Sequence, residues 1–195
     1  MPKILIADDH AVVRKGLRKI LTESDAGISV DEAGNGQEAL ARVLRERYEL
    51  VLLDISMPGR GGLEVLKEIK SHCPGLPVMI LSMHPEEEYA VRAFRAGASG
   101  YVTKDSASEE LAAAVRKVLA GGRYVSAFLA ENLARDLGSK DDRLPHETLS
   151  DREYQVLRMI ASGRTVSEIA RELSLSVKTI STYRSRILEK MRAKN

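Results

Sequence analysis

The chain has 195 residues, which suits one or two domains and allows a proper hydrophobic core in the larger one. A single cysteine, Cys73, excludes an internal disulfide, and there is neither an N-terminal export signal nor an apolar run approaching about 18 residues. We therefore expect a cytoplasmic protein that is neither exported nor membrane-spanning. The net charge of +2 is uneven: residues 1–120 carry 16 Lys and Arg against 18 Asp and Glu, whereas residues 150–195 carry 10 against 5. The basic last quarter indicates a polyanionic partner, although ordinary solvated surfaces also carry such charge.

Residues 1–120 alternate short apolar runs with helical patterns, which is typical of an α/β domain. Several runs are apolar throughout, as expected of strands buried on both faces of a parallel sheet. In the first helix, Val12, Val13 and Leu17 are expected to share the inner face. We predict a flavodoxin-like, doubly wound sheet of five parallel strands in the order 2-1-3-4-5. The predicted strands cover residues 3–7, 28–33, 50–53, 78–81 and 100–103.

The predicted strands run into polar residues at their carboxyl ends. Strand 1 leads to Asp8 and Asp9, strand 3 to Asp54, strand 4 to Ser82 and strand 5 to Lys104. These ends share one edge of a parallel sheet, so three carboxylates, a hydroxyl and an ammonium should meet there. Two carboxylates about 4 Å apart repel by about 4 kcal/mol at an effective dielectric of about 20, so the cluster requires a cation. Mg²⁺ fits, because it binds a few carboxylates and keeps water ligands.

Residues 121–149 are predicted to link two domains. Gly121 and Gly122 open this segment, and the polar stretch 138–143 lies near its end. Between them, residues 127–137 have helical periodicity. We expect a short linking helix followed by a flexible tether.

Residues 150–195 have the pattern of a small all-α domain. Capping boxes formed by Ser150 with Glu153 and by Thr165 with Glu168 open its first two helices. A third helix follows the break at residues 174–176. Two short helices joined by a tight turn, the second one basic, describe a helix-turn-helix. The side chains expected to face inward on the third helix are Val177, Ile180, Ile187 and Met191.

The opposite face of the third helix is polar and basic. Its hydroxyl side chains are expected to read base edges in the major groove, and its basic side chains partly to contact phosphates. The alternative is a solvated basic helix, which the capping boxes alone do not exclude. The residues predicted to bind DNA are Lys178, Ser181, Thr182, Tyr183, Arg184, Ser185 and Arg186.

Over nearly its whole length the sequence resembles response regulators of the NarL/FixJ class, which join a receiver domain to a LuxR-type effector. The matching segments are the Asp8-Asp9 pair, LDISMPGRGGLE around Asp54, GASGYVTKD, LSDREYQVLRMIASG and VSEIARELSLSVKTIS. The resemblance implies a receiver at residues 1–120, a linker at 121–149 and a DNA-binding domain at 150–195. It also implies a regulator of transcription rather than an enzyme.

The resemblance further implies a role for each matching residue. Asp54 would accept a phosphoryl group from a sensor histidine kinase, and this would shift the protein toward a homodimer that binds double-stranded promoter DNA. Ser82 and Lys104 would bind the phosphoryl oxygens, and Tyr101 would turn inward on activation. The residues implied for Mg²⁺ are Asp8, Asp9, Asp54 and Ser56.

The sequence departs from the family pattern in its last domain. Ser181 stands where many members have Lys, and Tyr183 where many have His, so we carry over no operator preference. The family continues into a fourth effector helix that commonly helps dimerisation, whereas this sequence stops at Asn195. We expect either a truncated sequence or dimerisation through other surfaces.

Two other functions compete with this interpretation. A phosphatase of the haloacid-dehalogenase kind also uses Asp, Mg²⁺, Ser or Thr, and Lys, but its nucleophile belongs to an Asp-x-Asp motif after the first strand, whereas Asp8 and Asp9 are adjacent. A pure interaction module that sequesters phosphoryl groups or a partner would have a last domain that binds no DNA.

Overall fold

The computed structural model describes residues 1–126, 129–131 and 145–192. The chain divides into two compact units, residues 1–133 and 134–195, and each is described by itself. No helix in the described ranges is both long enough and apolar enough to cross a membrane.

The first unit contains the predicted five-stranded parallel sheet, with the strands in the order 2-1-3-4-5, which confirms the predicted topology. Every residue of its third and fourth strands is buried, because helices cover both faces. The elements are β1 (Lys3–Ala7), α1 (Ala11–Ser24), β2 (Ser29–Ala33), α2 (Gly36–Arg45), β3 (Leu50–Asp54), α3 (Gly62–His72), β4 (Val78–Ser82), α4 (Glu86–Arg95), β5 (Gly100–Thr103) and α5 (Ala107–Leu119).

The register of the strands brings their carboxyl ends level. Ala7 of β1 is paired with Leu53 of β3, and Asp54 is paired with Leu81 of β4. Ser82, the last residue of β4, is paired with Thr103 of β5. The polar residues that end or follow these strands therefore lie along one edge of the sheet.

Helices α1 and α5 contact each other, whereas α2 contacts α3 and α3 contacts α4. Leu17, Leu21 and Leu111 pack with strand side chains in one buried apolar cluster. The prediction that Val12 faces this cluster is wrong, because its side chain is 83% exposed. Val12 lies in the first turn of α1, beside the polar edge of the sheet and not over its apolar interior.

The segment after α5 packs back onto the first unit. Tyr124 forms a parallel β-bridge with Gly100 at the edge of the sheet, and its N–H donates to the Ser99 carbonyl at 2.9 Å. The Ser126 hydroxyl then donates to Glu86 Oε2 of α4 at 2.5 Å. The first residues of the predicted linker thus belong to the first unit. Of the predicted linking helix, residues 129–131 are helical; its other residues and the predicted tether at 138–143 lie outside the described ranges.

The second unit has a 3-10 helix (Pro145–Thr148) followed by α6 (Asp151–Ala161), α7 (Val166–Glu172) and α8 (Val177–Met191). Both predicted capping boxes are present, at Ser150 with Glu153 and at Thr165 with Glu168. Ser174 adopts a left-handed conformation (φ 54°) in the turn between α7 and α8. The unit forms the predicted helix-turn-helix, with a core that includes Val156, Ile169, Leu173, Ile180 and Ile187.

The inner stripe of α8 is shorter than predicted. Ile180 and Ile187 are buried, but Val177 is 51% exposed, so its predicted inward position is wrong. Val177 is the first residue of α8, directly after its N-cap Ser176, and it precedes the turn that packs on the other helices. The inward-facing apolar residues inferred from helical spacing therefore include one residue too many at the N-terminal end of α8.

Candidate functional sites

Acidic side chains from β1 and β3 meet at the carboxyl edge of the sheet. Asp8 follows β1 and Asp54 ends β3, and both carboxylates are buried. One ligand atom from each of Asp8, Asp9, His10 and Asp54 can be chosen so that all lie within 4.8 Å of one another. The geometry therefore brings together the three predicted acids.

Lys104 reaches this cluster from the loop after β5. Its Nζ lies 2.8 Å from Asp54 Oδ2 and 2.7 Å from Asp8 Oδ2. The backbone N–H of Lys104 donates to the Ser82 carbonyl at 2.8 Å, which fixes the base of the side chain beside the end of β4. One ammonium thus partly neutralises two buried carboxylates.

Burial changes the titration of both members of the Asp54–Lys104 pair. Burial raises the pKa of the Asp54 carboxyl above its ordinary value, although Lys104 and the Ser56 N–H act in the opposite direction. Burial also lowers the pKa of Lys104, but the carboxylates of Asp54 and Asp8 outweigh it, and the pKa of Lys104 is raised. Additional positive charge near Asp54 would therefore favour its ionised form.

The donor set at this edge fits Mg²⁺. Carboxylate oxygens come from Asp8, Asp9 and Asp54, and oxygen is the donor that Mg²⁺ prefers. The buried hydroxyl oxygen of Ser56 has no hydrogen-bond partner within the described part of the chain. The Ser56 N–H donates to Asp54 Oδ1 at 3.0 Å, which holds this loop against the carboxylate. Three clustered carboxylates, and a buried hydroxyl oxygen without a partner two residues after Asp54, fit a cation site.

His10 lies with these acids, which sequence reasoning did not predict. Its Nδ1 is 2.8 Å from Asp9 Oδ1, and its backbone N–H donates to Asp8 Oδ1 at 2.8 Å. With no second His or Cys at ligand spacing, the sequence indicated only a loop or capping residue. His10 does occupy the N-cap position of α1, but its side chain makes no capping hydrogen bond.

Ser82 and Tyr101 are both anchored to His84. The Ser82 hydroxyl oxygen accepts from the His84 N–H at 3.0 Å, and the Tyr101 hydroxyl donates to the His84 carbonyl at 3.0 Å. Ser82 is fully buried and Tyr101 nearly so. Because the Ser82 oxygen accepts this bond, its own hydrogen remains available for an acceptor at the acidic edge.

The start of α3 is pressed against the backbone that follows β3. A Cβ added to Gly62 would lie 2.1 Å from the Asp54 carbonyl oxygen and 2.7 Å from Ile55 Cα. The Gly62 N–H donates to the Ile55 carbonyl at 3.0 Å. Only glycine allows this approach, which positions the loop carrying Asp54 and Ser56.

Helix α8 presents the predicted DNA-binding face to solvent. Two of its hydroxyls bond back to the helix: Thr182 Oγ1 donates to the Lys178 carbonyl at 3.0 Å and Ser185 Oγ to the Ser181 carbonyl at 3.1 Å. Tyr183 is partly buried and lies at the margin of this face. The exposed members are Lys178, Ser181, Thr182, Arg184, Ser185 and Arg186.

Glu153 and Lys190 join the first and last helices of the second unit. The Glu153 carboxylate accepts from the Ser150 N–H at 2.8 Å and from Lys190 Nζ at 2.6 Å. Burial raises the pKa of Glu153, but the bonds from Lys190 and Ser150 outweigh it and hold that pKa below its ordinary value. The capping box was predictable from the sequence, whereas its link to a lysine 37 residues away was not.

Two family profiles match the chain, one in each of its two units. The family profile for response regulator receiver domains matches residues 4–116, and the profile for bacterial regulatory proteins of the luxR family matches residues 147–195. The chain therefore belongs to the two-component response regulators of the NarL/FixJ class, with a LuxR-type DNA-binding domain.

Known response regulators are similar to almost the whole chain. Response regulator GacA of Pseudomonas aeruginosa is 37% identical over 192 residues, spanning 98% of this chain and 90% of that protein. Response regulator UvrY of Escherichia coli K12 is 35% identical over 192 residues, spanning 98% and 88%. RcsB of Salmonella enterica serovar Typhimurium, solved on promoter P1flhDC with the phosphomimetic BeF₃⁻, is 30% identical with a TM-score of 0.68, covering 100% of this chain and 94% of that one.

Proposed function

We propose that a sensor histidine kinase phosphorylates Asp54 and that this shifts the protein toward a homodimer that binds promoter DNA. The observation that carries the proposal is the buried Asp54 carboxylate, held on one oxygen by Lys104 at 2.8 Å and on the other by the Ser56 N–H at 3.0 Å. This arrangement orients a carboxylate at the end of the central strand toward an incoming phosphoryl group.

In the proposed transfer, a carboxylate oxygen of Asp54 attacks the phosphorus of a phosphohistidine. The new phosphorus–oxygen bond forms as the phosphorus–nitrogen bond breaks, and the imidazole leaves with the electron pair of that bond. Asp8, Asp9, Asp54 and the Ser56 loop would hold Mg²⁺, which supplies positive charge for the phosphoryl oxygens. Lys104, already between Asp8 and Asp54, donates to the same oxygens.

The proposed output runs from Ser82 to Tyr101. The free hydrogen of the Ser82 hydroxyl donates to a phosphoryl oxygen on Asp54, which draws Ser82 toward the acidic edge. His84 is hydrogen-bonded to both Ser82 and Tyr101, so this movement changes the environment of the Tyr101 ring. The surface formed by α4, β5 and α5 then changes, and with it the population of the dimer.

The DNA-binding part of the proposal rests on the exposed face of α8. In a helix-turn-helix the second helix of the motif lies in the major groove, which places the N-terminal half of α8 nearest the bases. Solved structures of RcsB include complexes with promoter DNA and two dimers bound to two DNAs. We extend DNA binding and dimerisation to this chain, acting in the cytoplasm where both DNA and the kinase domain would be accessible.

Phosphoryl transfer is tested by labelling the full chain with radioactive acetyl phosphate in the presence of Mg²⁺. Wild type should form one acid-stable, alkali-labile acyl phosphate, and Asp54→Asn should form none. Undiminished labelling of Asp54→Asn would contradict the assignment of Asp54. Multiple-turnover hydrolysis of an added phosphomonoester would instead favour the phosphatase alternative.

A further inference from the structure

The hydroxyl groups of Thr182 and Ser185 on α8 are both engaged as donors. Each donates its single hydrogen to the backbone carbonyl four residues earlier, at 3.0 Å for Thr182 and 3.1 Å for Ser185. Both side chains are exposed and lie three residues apart on the same face of the helix. Within the described residues no donor is bonded to either hydroxyl oxygen, so both residues present acceptors to a molecule bound on this face.

We propose that Thr182 and Ser185 select bases carrying an amino group in the major groove. The only donors at base edges there are the N6 amino group of adenine and the N4 amino group of cytosine, whereas guanine and thymine present acceptors. An acceptor-only hydroxyl therefore favours adenine or cytosine on the contacted strand. This inference rests on the proposed DNA binding by α8 and adds the class of base that it reads.

The neighbouring side chains on α8 do not share this restriction. Lys178, Arg184 and Arg186 have donors only, which suit phosphates and the acceptors of guanine. The Ser181 hydroxyl makes no hydrogen bond within the described part of the chain, so it can donate or accept. The face thus combines cationic side chains with two hydroxyl groups that act only as acceptors. Ser181 differs from these two because its hydroxyl can also donate.

Guanine opposite Thr182 or Ser185 would require the hydroxyl to leave its helix carbonyl and rotate. The cost is one neutral hydrogen bond, which corresponds to about a 2- to 12-fold difference in affinity for each contact. Loss of the hydroxyl should remove this difference while leaving attraction to the phosphates unchanged.

The test begins with selection of DNA sites by the full chain incubated with acetyl phosphate and Mg²⁺. Selected sites should carry adenine or cytosine at one or two adjacent positions that lose their preference in Thr182→Val or Ser185→Ala. Thr182→Ser should keep the preference. Since every base pair carries one amino group in the major groove, the contacted strand is assigned by substituting base analogues that lack the amino group on one strand at a time. Undiminished binding with either strand substituted, or the same base preference in all the variants, would overturn the inference.

Base analogues in the selected site show whether the protein contacts the amino group of the base or another of its atoms. Replacing the contacted adenine by purine removes its amino group and should weaken wild type about 2- to 12-fold but leave Thr182→Val unaffected. Replacement by 7-deazaadenine removes only the N7 acceptor and should have no effect, and purine at a flanking position controls for weaker base pairing. An equal loss in wild type and Thr182→Val would overturn the inference while leaving DNA binding intact. Failure of the chain to bind any DNA would overturn the proposed function itself.

Discussion

Ser82 and Tyr101 are joined through the backbone of a single residue: the hydroxyl of Ser82 accepts from the His84 N–H, and the hydroxyl of Tyr101 donates to the His84 carbonyl. Both distances are 3.0 Å, and both side chains are buried. Movement of Ser82 toward a phosphoryl group on Asp54 therefore disturbs the anchor of Tyr101. This connection links the end of β4 at the acidic edge to β5.

Tyr101→Phe should keep the buried ring but remove its hydrogen bond to the His84 carbonyl. We expect a loss of about 0.5–1.5 kcal/mol in unfolding free energy, because the hydrogen bond to the His84 carbonyl is lost. We also expect a smaller change in DNA affinity on addition of acetyl phosphate, with Asp54 labelled normally. Urea unfolding and DNA titrations measure the two effects. If the unfolding free energy and the response of DNA affinity to acetyl phosphate both equal those of wild type, Tyr101 does not connect Asp54 to DNA binding.

Lys104→Ala and Asp9→Ala should differ in their effect on Mg²⁺ binding. Lys104 competes with a cation for Asp8 and Asp54, so its removal should leave Mg²⁺ affinity equal or higher while uncoupling phosphorylation from DNA binding. Asp9→Ala removes an oxygen ligand and should weaken Mg²⁺ binding and slow phosphorylation. Calorimetric titration with Mg²⁺ distinguishes the variants. Wild-type affinity in Asp9→Ala would mean that the cation binds elsewhere.

Gly62→Ala should displace the loop that follows Asp54. The new methyl group would lie 2.1 Å from the Asp54 carbonyl oxygen, a backbone atom that cannot move aside alone. We expect a loss of about 1–3 kcal/mol in stability and slower phosphorylation. Gly75→Ala is the matched control, because a Cβ there meets nothing within 4 Å. Equal stability of the two variants would show that α3 has room to shift.

Glu153→Gln tests the link between α6 and α8 through the pH dependence of stability. The pKa of Glu153 is lowered from its ordinary value of 4.5, so the ion pair contributes fully above that value. At neutral pH we expect Glu153→Gln to cost about 1–2 kcal/mol, a modest figure because Lys190 is 40% exposed and Gln can still complete the capping box.

The difference between wild type and Glu153→Gln should shrink as pH falls through the lowered pKa, since the carboxyl group is then protonated in the folded state as well. Urea unfolding of the full chain from pH 7 to pH 3, with hydrogen exchange to localise the effect to residues 145–192, measures this. A difference independent of pH would show that the charge of Glu153 contributes nothing.

The sheet order and the residues at its polar edge were predictable, because uninterrupted apolar runs identify buried parallel strands and each run ends in a chemically distinctive residue. Val12 and Val177 were misplaced, because each lies in the first turn of its helix, where helical spacing does not show whether another layer covers it. The link that His84 makes between Ser82 and Tyr101 could not be predicted, because it uses backbone atoms that every residue possesses. The pairing of Lys190 with Glu153 depends on how α6 and α8 pack, which local patterns do not specify.

The return of residues 122–126 to the sheet edge was also missed. The sequence opens there with Gly121 and Gly122, which are typical of a linker. The contacts of Tyr124 with Ser99 and of Ser126 with Glu86 join residues 25 or more positions apart. Composition alone does not indicate such contacts.

The central claim is that phosphorylation of Asp54 controls DNA binding, and equilibrium titration of a selected DNA site tests it most directly. The full chain is titrated with and without acetyl phosphate and Mg²⁺, alongside Asp54→Asn, with dimer formation followed by analytical ultracentrifugation. We predict tighter DNA binding and more dimer for phosphorylated wild type, and no response in Asp54→Asn. Equal DNA affinity of phosphorylated and unphosphorylated wild type, or an equal gain in Asp54→Asn, would contradict the account.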